Sequence, residues 1–140
     1  MGPMSQLVRN FDVGTTWDPN RPGAVLAASD LGETRLTLQA HPDDPDQSAV
    51  NLVFVGSLAA RMEPKNDEAL SGNSLYRAGL RDVVWIGEVI QSRLIANLEK
   101  KNRFHPLRDP QRFRRLRHWV VPLKEVLVEV VAEGIELQRG

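Results

Sequence analysis

Cysteine is absent from the 140 residues. That excludes disulfides, thiolate nucleophiles and Cys-ligated zinc or iron–sulfur centres. Net charge is absent too, because 18 basic residues meet 18 acidic ones; any electrostatic role must come from where the charges lie. No apolar run approaches the roughly 18 residues of a membrane span. The N-terminus lacks the basic-then-apolar order of a signal peptide, so the expected location is the cytoplasm. Met1-Gly2-Pro3, ahead of Met4, reads as an added leader, and the expected domain is 4–140. Catalytic motifs are missing as well: there is no H-E-x-x-H, P-loop, G-x-S-x-G or Gly-rich phosphate fingerprint. His41, His105 and His118 lie 64 and 13 residues apart and match no helix-face metal pair. No metal site, cofactor or catalytic residue is assigned.

What is present is an ordinary globular composition, 41% hydrophobic and 26% charged. The length suits a single domain, which buries about two thirds of the surface its unfolded chain exposes. Strand patterns predominate. Leu7 to Val13 suggests a first strand and Ala24 to Ala28 a short buried one. Leu36, Leu38 and Ala40 alternate with polar residues, a clear period of two. Val50 to Val55 is apolar on both faces, as expected of a central or covered strand. The 61–79 stretch loses periodicity and reads as a long irregular loop, of a length often linked to function. Val83 to Ile86 reads as another strand. A helix follows over Ser92 to Lys101, with Ser92 as N-cap and Leu94, Ile95 and Leu98 as its apolar stripe. Pro106 and Pro110 then break the chain.

Trp119, Val121 and Leu123, a turn at Lys124-Glu125, and Val126, Val128 and Val130 predict a C-terminal hairpin. Beyond Gly134 the apolar face switches to Ile135 and Leu137, the signature of a bulge. One helix among many strands argues against a parallel sheet. The expected fold is α+β: a curved, mostly antiparallel sheet, one main helix on a face, and a terminal β-hairpin. If the Val-rich final strand is an open edge, it offers a route to a homodimer.

Between Lys100 and His118 eight cations face one acid, Asp109, with Phe104 and Phe113 interleaved. Arginine grips carboxylates in bidentate fashion, so a protein or acidic peptide partner fits. Phosphate contacts with base stacking would fit nucleic acid, although a dedicated binder is usually basic throughout. The plain alternative is a solvated connector whose charges pair with acids such as Asp43, Asp44 and Asp46.

Three stretches together resemble a group of small uncharacterised bacterial proteins. They are Asn66-Asp67-Glu68-Ala69-Leu70 with Gly72, Leu75-Tyr76 and Gly79-Leu80; Leu98 to Pro106; and Arg117-His118 leading to Val131-Ala132-Glu133-Gly134. The likeness spans Val50 to Gly134 and carries no activity with it. The chain has Asn73 where the group has a histidine, and Lys124-Glu125 where the group has a His-Asp pair. The resemblance thus implies that any polar site of the relatives is altered here.

The expected function is a non-enzymatic binding or accessory protein. Its loop residues Asn66, Asp67, Glu68 and Tyr76, and its basic residues Arg103, Arg108, Arg112, Arg114, Arg115 and Arg117, meet a protein or acidic peptide. Nucleic-acid binding by the same segment is the alternative. A third possibility is a small enzyme using His118 with Glu125 or Glu129, which alternation brings into neighbouring strands.

Overall fold

Period-two alternation translates into nine strands in the computed structural model, which describes residues 5–65, 74–105 and 109–140. In chain order these are β1 (Leu7–Asn10), β2 (Val25–Ala28), β3 (Glu33–Leu38), β4 (Val50–Val55), β5 (Ala59–Pro64), β6 (Gly87–Ile90), β7 (Arg117–Pro122), β8 (Val126–Ala132) and β9 (Gly134–Arg139). Every strand pairing among them is antiparallel. Two helices, α1 (Arg93–Asn102) and α2 (Pro110–Arg115), and a 3-10 turn at Leu80–Asp82 complete the described elements. The architecture is α+β with one main helix.

The strands form two sheets rather than one. The larger runs β1-β6-β7-β8-β5 and the smaller β2-β3-β4-β9. Their facing sides share a core in which Trp119, Val121, Val128 and Val130 meet Leu36, Leu52 and Phe54, all buried. Trp119 anchors it, with Phe54 and Phe11 tilted against its ring at centroid distances of 5.7 and 6.1 Å. β4 is buried on both faces, as its sequence predicts: Leu52 and Phe54 enter the inter-sheet core, and Asn51 and Val53 on the other face are buried too.

The chain passes between sheets twice at one corner. Val55 pairs with Gly134 and Ala59 with Val131, so residues 56–58 oppose only 132–133. One extra residue on the 56–58 side bends both strands, and the Glu133 amide is shared by the carbonyls of Val55 and Gly56. The face switch beyond Gly134 is therefore a change of sheet. β7 and β8 pair around 123–125, and β9 then leaves them to become the outer strand of the smaller sheet. The Val-rich segment is β8, flanked by β7 and β5, whereas the C-terminal strand β9 lies at an edge of the smaller sheet.

Four other expectations change. Residues 61–64 belong to edge strand β5, not to an irregular loop. An edge strand joins through its backbone and needs little apolar patterning. Val83 to Ile86 precedes the strand instead of forming it, and pairing begins at Gly87, where the sequence reads as a break. The first strand ends at Asn10, although Phe11 and Val13 still pack on the core. Finally, Pro110 starts a helix: Asp109 caps α2 by accepting from the Arg112 amide, and proline is well suited to the first helical position.

A second, smaller core covers the far face of the larger sheet, where Leu75 and Leu80 pack on Val8, Val89, Val120 and Leu127. Gly79 is required there. Its φ is +129°, and a Cβ would stand 2.2 Å from the Val8 carbonyl oxygen. The spacing of Leu75, Gly79 and Leu80 is thus explained by packing. No helix among the described residues is long and apolar enough to cross a membrane.

Candidate functional site

Alternation along β7 and β8 sends Trp119 and Val130 into the inter-sheet core and His118 and Glu129 to the opposite face. His118 pairs with Val131, and Val120 with Glu129, so His118 and Glu129 are diagonal neighbours within side-chain reach. His118 Nε2 lies 3.0 Å from Glu129 Oε1, and both residues are buried, at 2% and 3% exposure. On the other side of the ring, Nδ1 lies 2.8 Å from Ser92 Oγ. Ser92 caps α1, accepting from the Ile95 amide at 3.1 Å. Arg61 of β5 completes the chain, with Nε 2.7 Å from Glu129 Oε2 and Nη2 also on that oxygen.

These partners favour the ionised form of the buried carboxyl. Burial pushes the Glu129 carboxyl up, but hydrogen bonds from His118 and Arg61, together with their charges, outweigh it and hold the group below its ordinary value. An ionised carboxylate only accepts, so the bond at His118 Nε2 is donated by the ring, and Nδ1 faces the Ser92 hydroxyl. Four side chains from β5, β8, β7 and the head of α1 thus form one hydrogen-bonded line. Arg61, Glu129 and His118, but not Ser92, line a cleft of about 210 Å³ whose walls also include Arg93, Leu94, Asn97 and Gln6. Glu125, the other proposed partner of His118, stands exposed in the 123–125 turn. Among the described residues no cluster of His, Asp and Glu could hold a metal ion.

The predicted basic surface divides at Leu116. Beyond it, Arg117 turns toward the core side. It makes two 2.6 Å hydrogen bonds to Glu88 and lies over the rings of Phe11 and Trp119 at 5.4 and 5.1 Å. The hydrogen bonds to Glu88 hold its guanidinium more firmly charged, against the opposing effect of burial. Arg115 meets Glu133 at 2.7 Å, and Arg103 pairs with Glu99 one turn back along α1, at 3.6 Å. Lys100, Lys101 and Arg114 are exposed and Arg112 half-buried, and among the described residues none of the four side chains has a partner. Asp44 and Asp46 are taken by Arg139, not by this segment. Phe104 stands 90% exposed just beyond α1. Tyr76 is half-buried, and its carbonyl accepts from the Gly79 amide. Asn66, Asp67, Glu68 and Arg108 lie outside the described residues.

Sequence reasoning found His118 and Glu129 through alternation but treated Ser92 only as a cap. It missed Arg61 because the segment carrying it reads as irregular. The one available signal was the pairing of β5 with β8, which no local pattern encodes. No family model, curated protein or solved structure is significantly similar to the chain.

Proposed function

We propose that the protein is a binding or accessory protein whose α1–α2 layer docks an acidic segment of a partner protein. One observation carries this reading. Within a stretch of eight cations, those facing the sheet are neutralised by Glu88 and Glu133, whereas Lys100, Lys101, Arg112 and Arg114 have no carboxylate partner among the described residues. Charges that serve only solubility are normally interspersed with the opposite sign. Here one sign is gathered on two adjoining helices around an exposed phenylalanine, whose apolar ring would bury on docking. Zero net charge favours a local acidic peptide over a long polyanion. Arg103 and Arg115, each in an exposed ion pair of little intrinsic strength, can exchange partners at the rim.

The test is fluorescence anisotropy with a labelled oligo-glutamate peptide containing one aromatic residue, beside a labelled single-stranded oligonucleotide of equal charge. Saturable peptide binding that outlasts oligonucleotide binding, as salt rises from roughly 50 to 200 mM, is expected. Preference for the oligonucleotide under the same conditions would replace this reading with nucleic-acid binding.

A further inference from the structure

We propose that a pocket built on Trp17, Trp85 and the 122–124 turn binds a small aromatic carboxylate, independently of the basic helical surface. The pocket lies at the end of β5 and β8 opposite the 56–58 corner, where the last register pair is Pro64 with Val126. On one side the segment between β1 and β2 is tied to the end of β3, its Asp18 amide donating to the Gln39 carbonyl. On the other, the Lys65 amide donates to the Glu125 carbonyl across the β7–β8 turn. Residues from both closures line a pocket of about 310 Å³. That lies at the lower end of the roughly 300–1,000 Å³ typical of small-molecule sites.

Its apolar wall is aromatic. Trp17 and Trp85 meet edge to face, with 5.3 Å between ring centroids and 80° between planes, and both line the pocket. Trp17 belongs to the inter-sheet core at 2% exposure, whereas Trp85 is half-buried and its neighbour Val84 is 67% exposed. An indole left partly in water beside an exposed valine is apolar surface that the ring of a ligand would cover. The Trp17 indole N–H has no hydrogen-bond partner among the described residues. The side-chain polar atoms sealed from solvent without a partner are, among the described residues, Trp119 Nε1 and Arg139 Nε. The Trp17 N–H is not one of them, so it stays accessible as a donor without an acceptor, on a ring that lines this pocket.

The charged groups select the sign of the ligand. Lys65 is half-buried, and its ammonium uses one of three donors on the Leu123 carbonyl, at 2.9 Å. That bond fixes the ammonium at the pocket and leaves two donors with no partner among the described residues. Lys124 is exposed, also with no partner among the described residues. Asp18 opposes them, but its Oδ1 accepts from the Asn20 and Arg21 amides. Those bonds, the one from Arg21 foremost, hold its carboxyl below the ordinary value. Two cations against one carboxylate leave an excess of positive charge around an aromatic wall. A compact ring bearing a single carboxylate satisfies the ammoniums and the indole N–H together, whereas an aromatic amine meets the same wall and is repelled by the lysines.

The test follows the three indole signals of the full chain, from Trp17, Trp85 and Trp119, in assigned ¹H–¹⁵N correlation spectra. The probes are 3-phenylpropionate and 3-phenylpropylamine, added up to roughly 10 mM, enough to detect a Kd of about 1 mM. The carboxylate should shift Trp17 and Trp85 saturably and leave Trp119 in place, and the amine should bind at least tenfold more weakly. Lys124→Glu, in an exposed turn, should weaken the carboxylate roughly tenfold. The helical variant with Lys100→Glu, Arg112→Glu and Arg114→Glu should stay within twofold of wild type. No shift at Trp17 and Trp85, or an equal shift at Trp119, would overturn the proposal. Equal affinity for acid and amine would overturn the assignment of an anionic ligand, and a loss confined to the helical variant would move the ligand off this pocket.

Discussion

Arg114 and Arg117 stand three residues apart in the same basic run and meet opposite fates. Arg114 projects from α2 into solvent with no carboxylate near it among the described residues. Arg117 opens β7, and the strand's alternation swings it onto Glu88 and over two aromatic rings. The same residue type thus belongs to an open surface in one place and to the closure of the core in the other. What divides them is the change from helix to strand at Leu116. A count of cations along a sequence therefore overstates the surface available to a partner, because each element decides which of its charges the fold neutralises.

The comparison breaks first where polar groups are most deeply buried. Glu129→Ala leaves His118 without its carboxylate and Arg61 without its partner, and removing one member of a buried pair costs about 3–5 kcal/mol. Because Arg61 is half-exposed, the lower end is expected in a urea unfolding series; a loss under about 1 kcal/mol would mean the chain is not a packed network. Arg117→Ala comes next, at about 1–2 kcal/mol, from the lost ring stacking and bidentate contact at a partly exposed site. The matched change Arg114→Ala should stay within about 0.5 kcal/mol, and equal losses at 114 and 117 would erase the distinction.

The acid limb adds a subtler contrast. The Glu129 carboxyl titrates lower in the folded protein than in the unfolded chain. Its contribution is therefore present above its unfolded value near 4.5 and disappears as pH falls through the lower, folded value. Wild type should lose stability more steeply than Glu129→Ala below about pH 4.5, measured as urea midpoints at successive pH values. Parallel curves would show that the carboxyl is not held in its ionised form. The smallest effect is expected from Arg112→Glu with Arg114→Glu: thermal unfolding within a few degrees of wild type, since neither side chain has a partner to lose among the described residues.

Alternation made β7 and β8 of the larger sheet and β3 and β4 of the smaller legible, including the placement of His118 and Glu129 in neighbouring strands. Leu36 and Leu38 announced β3, and Val50 to Val55 announced a strand covered on both sides. Long-range pairing was not legible. β5 carries Ala59, Arg61 and Glu63 in a pattern that resembles a loop, and only its register against β8 brings Arg61 to Glu129. The sheet change at Gly134 looked like a local bulge, because the extra residue lies nearly eighty positions earlier, in 56–58. Pro110 read as a stop when the Asp109 side chain makes it a start. Ser92 was visible as a cap, but its second partner, 26 residues away, depends on α1 lying over β7.

The central claim is that the cations of α1 and α2 with no partner among the described residues, not the protein's basic residues in general, form the docking surface. Two triple variants test it directly by anisotropy with the labelled oligo-glutamate peptide: Lys100→Glu, Arg112→Glu and Arg114→Glu against Arg21→Glu, Arg35→Glu and Arg81→Glu, which change net charge equally at sites elsewhere. The first should weaken binding at least tenfold while the second stays within twofold of wild type. Equal losses in both would contradict the account.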